Sequence, residues 1–174
     1  MLLIKRHSAL SHARIIRELE RIWVHLSIHG VGEYRHSLKA CILDERYVAD
    51  PATTVERIAS TIVHEATHAR LERCGIEYKE ELRARIEATC FRRELAFAVC
   101  LLDSAELQQD IARYLEWYPA NPDHFSDASF RERHWSGATE ALRHLGAPDW
   151  FIRALVMAAP VVRRARRLVR LARR

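Results

Sequence analysis

The sequence has few of the residues that interrupt regular secondary structure, with five Gly and five Pro among 174 positions. Together with a hydrophobic content of 49%, this scarcity argues against disorder and leaves enough apolar side chains for a core. No apolar run approaches the roughly 18 residues of a membrane span, and the N-terminal apolar run is too short for a signal peptide. The length suits one domain, or one domain with an appendage.

Cysteine is also scarce, and its spacing argues against a disulfide framework. The four cysteines form neither a C-x-x-C pair nor a tight cluster. We therefore expect a cytoplasmic protein, with buried free thiols in a reducing compartment at Cys41, Cys74, Cys90 and Cys100.

Acidic residues are missing from the last twelve positions, which hold seven arginines. Subtracting these seven from the 28 basic residues leaves 21 against 23 acidic residues, so the basic character belongs to the Arg163–Arg174 tail. Apolar residues from Val161 to Ala172 recur at helical spacing, which predicts an amphipathic helix. Such a helix can dock on the body with a solvated basic face, or contact nucleic acid or an anionic membrane. Both interpretations stay open, and no motif of a nucleic-acid-binding fold accompanies the tail.

The segment Ile62–Leu71 contains the motif His-Glu-x-x-His. In a helix, His64 and His68 lie one turn apart on one face, with Cβ atoms roughly 5–6 Å apart. Two imidazoles in this arrangement can bind one metal ion, at about 2.0–2.1 Å each for zinc. Glu65 can then reach a water molecule on the metal rather than the metal itself. The motif therefore predicts a zinc site in which Glu65 is the general base for a zinc-activated water.

A chance match on a surface helix is the alternative interpretation, because His and Glu are both common in this chain. A surface helix usually carries charged residues at several of the flanking positions. Here neither Gly nor Pro falls between Val55 and Leu71, and the neighbours are uncharged, at Ile62, Val63, Ala66, Thr67 and Ala69. These flanks favour the metal site.

Periodicity and turn residues predict an α+β chain that is mostly helical. The predicted domains are a core over 1–118 and a C-terminal helical extension, packed on the core, over 119–174. Gly75 and Gly146 should end helices, Ser104 should cap one, and a break at Gly137 is left open. Helices are predicted over 11–23, 50–73, 79–102, 105–117, 126–145 and 150–159, and strands over 24–28, 38–43 and 47–48.

A zinc site of this kind needs a third protein ligand. Gly75 ends the first helix about 10 Å past the second histidine, so the next helix must return along the first. A ligand level with the metal should then sit seven to nine residues into that helix, where Glu87 lies. Glu80 and Glu81 are too near the turn, and Glu94 should lie roughly 10 Å beyond the metal. Alternatively, Glu87 is an exposed carboxylate that pairs with Arg83 or Arg85.

Over residues 38–102 the sequence resembles the gluzincins, zinc peptidases with two histidines from His-Glu-x-x-His and a downstream glutamate. The resemblance implies that His64, His68 and Glu87 bind Zn²⁺ and that Glu65 is the general base. Thermolysin-like members carry an aspartate one turn after the glutamate, where this chain has Phe91. The orienting partner of the histidines is therefore expected to be a backbone carbonyl or another carboxylate.

The run from Glu87 to Leu95 instead looks like the glutamate helix of the ImmA/IrrE metallopeptidases, where Glu-Ala and a Phe four residues on recur. This resemblance implies a zincin-like core of helix, small sheet, His-Glu-x-x-His helix and glutamate helix, followed by C-terminal helices.

The implied function is hydrolysis of peptide bonds in a peptide or protein substrate. In zincins an edge strand pairs with extended substrate, and by resemblance we assign this role to the predicted strand over 38–43. The alternative is a non-catalytic binding or regulatory protein on a zincin scaffold, with a structural or occluded zinc site. A further donor for transition-state charge stays unassigned among Tyr47, Tyr78, His124, His134 and His144.

Overall fold

The computed structural model describes residues 1–158, so the predicted basic tail over 163–174 lies outside the described residues. Within this part the chain is mostly helical with a small three-stranded sheet, which confirms the α+β class. None of the helices within it is long and apolar enough to cross a membrane. The strands are β1 (Arg21–His25), β2 (Gly32–Arg35) and β3 (Ala40–Asp44). The α-helices are α1 (Leu2–His7), α2 (Ala9–Glu18), α3 (Glu45–Ala49), α4 (Val55–Arg73), α5 (Glu80–Ala98), α6 (Ala105–Ala120) and α7 (Asp127–His144), with 3-10 turns at His36–Leu38 and Pro122–Phe125 and a last helical stretch over 149–158.

Strand β3 lies in the centre of the sheet, in the order β1-β3-β2. It pairs in parallel with β1 and antiparallel with β2, and all five of its residues are buried. The prediction that substrate pairs with the strand over 38–43 is therefore wrong, because neither side of β3 is free. The edge strand that contacts α4 is β2. Sequence reasoning misses β2, because Gly30 and Gly32 indicate a break.

The first strand begins earlier than predicted, and the helix before it ends earlier. Helix α2 ends at Glu18, and Leu19 is already extended, so the predicted helix over 11–23 is too long. Trp23 lies in β1, which was expected over 24–28. The reason is tertiary: β1 pairs with β3 at every residue, and this pairing outweighs the helical spacing of its apolar side chains.

Residues 47–48, predicted as a strand, belong to helix α3. The carboxylate of Asp44 accepts hydrogen bonds from the backbone N–H groups of Arg46 and Tyr47, and so caps this helix. A helix can therefore begin directly after β3. Two apolar residues are too few to distinguish a strand from one helical turn.

Helices α4 and α5 form the antiparallel pair that carries the predicted site. Thr54 caps α4 by accepting a hydrogen bond from the backbone of Arg57. Gly75, with φ of 80°, follows the last turn, which confirms the predicted stop. Helix α5 ends at Ala98, four residues before the predicted end. The α4 face toward the core is apolar, and the buried core includes Ala59, Ile62, Val63, Ala66, Phe97 and Ile111.

Helix α6 packs on α5, and α7 packs on the 3-10 turn over Pro122–Phe125. Helix α6 continues past its predicted end at 117 to Ala120, and the side chain of Ser104 does not cap it. That hydroxyl instead donates to the Ala98 carbonyl at 2.6 Å. Helix α7 runs through Gly137 without a break, and this glycine lets α7 approach the backbone carbonyl of Ile28.

Candidate metal centre

Helices α4 and α5 bring the predicted metal ligands together. The Nε2 atoms of His64 and His68, one turn apart on α4, lie 3.2 Å from each other. Glu87, in the second turn of α5, points between them. Its Oε2 lies 3.3 Å from His64 Nε2, and its Oε1 lies 3.5 Å from His68 Nε2.

These separations suit three ligands of one ion. Donor atoms at 2.0–2.1 Å from a tetrahedral zinc lie about 3.3–3.4 Å apart, which is close to all three distances. Two imidazoles and one carboxylate also form a donor set that zinc accepts. Only 14% of the Glu87 side chain is exposed, so Glu87 is not the surface carboxylate of the alternative interpretation. Arg83 pairs with Asp127 instead, at 2.7 Å.

Glu94 supports the site from behind His64. Its Oε2 lies 2.9 Å from His64 Nδ1, and its Oε1 accepts a hydrogen bond from the Ser60 hydroxyl at 2.8 Å. Both carboxylate oxygens thus have a partner in a buried position. For His64 to bind a metal through Nε2, its proton must sit on Nδ1, and Glu94 is placed to accept the hydrogen bond from that N–H. The expectation that another carboxylate orients a histidine therefore has a definite candidate.

The charges of this cluster are strongly coupled. Burial lowers the pKa of His64, but hydrogen bonds to Glu87 and Glu94 outweigh burial and raise it well above its usual value. Burial likewise raises the pKa of Glu87, but hydrogen bonds from His64 and His68 hold it well below its usual value. Without a metal, the cluster therefore favours a negative Glu87 beside a protonated His64, and a divalent cation would have to replace the proton on His64 Nε2.

Glu65 lies against strand β2, where its carboxylate accepts a hydrogen bond from the backbone N–H of Tyr34. It is buried and lines the same cavity as His64 and His68. Gly32 of β2 leaves room for it, because a Cβ at that position would lie 3.1 Å from Glu65 Oε1 and 2.5 Å from Thr61 Cγ2. Burial raises the pKa of Glu65, although the two histidines act in the opposite direction.

Aromatic side chains enclose the histidines on the α5 side. Phe91 packs edge-on against the His64 ring, with centroids 4.6 Å apart. Thermolysin-like members have an orienting aspartate at this position. Tyr78, in the turn before α5, donates a hydrogen bond to Glu87 Oε1 at 2.5 Å. Its ring also packs edge-on against His68, with centroids 5.6 Å apart.

A cavity of about 620 Å³ opens onto this centre. Its walls come from β2, α4, α5, α6 and α7. The aromatic residues Tyr114 and Tyr118 of α6 and Phe130 of α7 line it, and Arg57 and Asp110 add charged groups. The cavity is large enough for several residues of an extended peptide.

The other candidate donors for transition-state charge differ in whether they line the cavity. Tyr47 lines the cavity and hydrogen bonds with Thr61 at 3.2 Å. His124, His134 and His144 do not line the cavity. His124 stacks on Tyr118, His134 packs against His29, and His144 pairs with Glu45 at 3.1 Å.

Sequence reasoning missed one possible ligand, Cys90. Donor atoms of His64, His68 and Cys90 all lie within 4.8 Å of one another, and Cys90 is fully buried. Burial raises the pKa of the Cys90 thiol. A signal was available in the sequence, because Cys90 follows Glu87 by three residues and so shares its helix face.

Comparisons of this chain with protein-family models, with curated proteins and with solved structures find no match.

Proposed function

We propose that this protein is a zinc-dependent metallopeptidase with a zincin-like core made of α2, the sheet, α4 and α5. The observation that carries the proposal is the triangle of His64, His68 and Glu87 beside Glu65, at the wall of an open cavity. The resemblance to gluzincins, and to ImmA/IrrE metallopeptidases in α5, points to the same residues. The ligand geometry and the sequence motif thus support the same assignment.

His64, His68 and Glu87 would hold the ion, with Glu94 fixing the His64 ring. When bound, zinc supplies Lewis acidity that polarises the scissile carbonyl and lowers the pKa of a water molecule. Glu65 takes the proton from the attacking water and delivers it to the leaving amine. Its place beside β2 lets it act on groups in the cavity without competing for the metal.

The edge strand β2 offers the main-chain groups that an extended peptide would pair with. Asp44 N–H donates to the Val31 carbonyl at 3.0 Å, so this pair of the β2–β3 ladder is hydrogen-bonded. Antiparallel ladders alternate, so the backbone groups of Gly32 and Tyr34 point away from β3. The N–H of Tyr34 already donates to Glu65, so the carbonyls of both residues and the N–H of Gly32 are the groups proposed to pair with substrate. Substrate bound there would lie alongside Glu65, and strand pairing would supply affinity with little side-chain selectivity.

Tyr78 is the candidate donor for the charge that develops on the carbonyl oxygen. Its hydroxyl already reaches Glu87, at 2.5 Å, and its ring contacts His68. A metal bound by Glu87 would compete for the oxygen that Tyr78 now holds, which would free the hydroxyl to donate to substrate. Of the five unassigned donors, Tyr78 is the one that contacts two of the proposed ligands.

Two glutamate variants test the proposal, because Glu65 is assigned the role of general base and Glu87 that of a metal ligand. Glu65→Gln should keep about one zinc per chain and lose hydrolysis by several orders of magnitude. Glu87→Ala removes one of three ligands and should lose zinc and hydrolysis together. The control is Glu81→Gln, an exposed change on α5 that should alter neither. If Glu87→Ala holds zinc as tightly as the parent, the ligand set is wrong.

The non-catalytic alternative is favoured by one observation, the buried Cys90 beside both histidines. A site that keeps four protein ligands throughout has no position for water and is structural. If the parent holds zinc but cleaves nothing in a broad peptide library, the scaffold function replaces the peptidase.

A further inference from the structure

The thiol of Cys90 faces the metal centre from the same helix as Glu87. Donor atoms of Cys90, His64 and His68 lie within 4.8 Å of one another, although no side chain of residues 1–158 hydrogen bonds with this thiol. Cys100, by contrast, donates to the Ala96 carbonyl at 3.3 Å. A buried thiol beside two imidazole nitrogens, with no other partner within those residues, has the surroundings of a metal ligand.

We propose that Cys90 is a fourth protein ligand, which joins His64, His68 and Glu87 and closes the metal centre in the resting protein. This inference rests on the proposed function, because it concerns how that same site is regulated. Zinc binds thiolate sulfur at about 2.3 Å, so sulfur and nitrogen ligands of one tetrahedral ion lie roughly 3.5 Å apart. The separations between the thiol and the two imidazole nitrogens therefore exceed those of a bound site by at most about 1.3 Å, which small side-chain movements would have to close.

The closed centre differs chemically from the open one. The Cys90 thiol loses its proton to solvent when the sulfur binds, and the thiolate takes the position that water needs. Glu65 then has no water to activate. Hydrolysis would require Cys90 to leave the metal, so that its position becomes free for water. A soft sulfur ligand also selects for zinc, cobalt or cadmium and against magnesium or calcium.

Cobalt(II) reports directly on a bound thiolate, through a charge-transfer band in the near ultraviolet. Protein loaded with one cobalt should show this band, and Cys90→Ser should lose the band while it keeps the metal. The control is Cys100→Ser, a change at an exposed cysteine, which should keep the band. A band that persists in Cys90→Ser, or that is missing from the cobalt-loaded parent, overturns the proposal.

A second measurement needs no variant, so it stays decisive even where Cys90→Ser fails to fold. X-ray absorption at the zinc edge of the parent protein should show one sulfur neighbour at about 2.3 Å. A first shell of nitrogen and oxygen alone overturns the proposal.

Peptide hydrolysis distinguishes this proposal from the function on which it rests. Cys90→Ser should hydrolyse peptides several-fold faster than the parent, because the fourth position opens. If sulfur is bound but no variant hydrolyses any peptide, Cys90 is a ligand and the peptidase proposal fails. If the parent hydrolyses peptides with no sulfur bound, the peptidase proposal stands and Cys90 is not a ligand.

Discussion

Replacing Glu94 with glutamine tests how far the metal centre depends on a group that does not touch the metal. The carboxylate accepts from His64 Nδ1 at 2.9 Å and from the Ser60 hydroxyl at 2.8 Å. Glutamine keeps the shape and one acceptor oxygen, but it removes the negative charge. A charge-assisted hydrogen bond is about twice as strong as a neutral one, and the charge also makes the imidazole a better ligand.

The expected result is a zinc affinity 10–100-fold lower, which equals about 1.4–2.7 kcal/mol of binding free energy. Part of this loss is offset near neutral pH. Glu94 helps to raise the pKa of His64, and a proton on its Nε2 must leave before the metal binds. Glu94→Gln should lower the pKa of His64, so less of the protein carries the competing proton. The full loss of zinc affinity should therefore appear at alkaline pH, and a smaller loss at lower pH.

The assay is competition with a chelating dye at several pH values. Ser60→Ala keeps the carboxylate charge and should cost only a few-fold in affinity. Glu81→Gln is the matched control on the exposed side of α5. Urea unfolding of the metal-free proteins separates loss of fold from loss of binding. A Glu94→Gln protein that is folded and binds zinc within twofold of the parent at alkaline pH would refute the orienting role.

Three further predictions concern other parts of the molecule. Tyr78→Phe should keep zinc and reduce hydrolysis by about 10- to 1,000-fold in kcat, because only the hydroxyl is lost; steady-state kinetics beside metal analysis checks this. Deleting residues 163–174 should leave zinc content unchanged and abolish any salt-sensitive binding to nucleic acid or acidic vesicles, measured at two salt concentrations. Burial would raise the pKa of Glu18, but hydrogen bonds from Arg73 and Arg17 hold it below its ordinary value of 4.5. Its ionised form therefore stabilises the fold above that pH, and this contribution is lost as the pH falls through the lowered pKa. Glu18→Gln should cost about 1–3 kcal/mol in urea unfolding at neutral pH, and the difference from the parent should shrink in acid.

The residues of the candidate site that sequence reasoning expected to lie together depend on short-range geometry. His64, Glu65 and His68 lie within one helix, whose period fixes their relative positions. The position of Glu87 level with the two histidines follows because α4 stops at Gly75, which sets how far α5 returns along α4. Both steps use only helix rise and a turn of known length.

Glu94 shows where this reasoning fails. Its backbone lies two turns beyond Glu87, which by helix rise alone puts it roughly 10 Å past the metal. That estimate ignores the width of the imidazole ring, whose two nitrogens face different partners. Nε2 of His64 reaches Glu87, and Nδ1 reaches Glu94 from the far side. Side-chain reach of this kind cannot be obtained from Cα spacing.

The sheet was harder to predict because its strands depend on tertiary pairing. Gly32 looks like a strand breaker in the sequence, yet its missing Cβ is what lets β2 approach Thr61 and Glu65. The order β1-β3-β2 moves the open edge from β3 to β2. The proposed substrate edge therefore lies on a different strand from the one predicted, although α4 and α5 were expected as helices with somewhat wider bounds.

Whether the centre is catalytic depends on α5 rather than on the His-Glu-x-x-His motif of α4. That motif supplies two imidazoles and a base to an open and to a closed site alike. The difference arises on α5, where Glu87, Cys90 and Glu94 follow one another at helical spacing on the face toward α4. Glu87 and Glu94 leave a position for water, whereas Cys90 can remove it. In both proposals, the Cys90 thiol is therefore the group that distinguishes an open centre from a closed one.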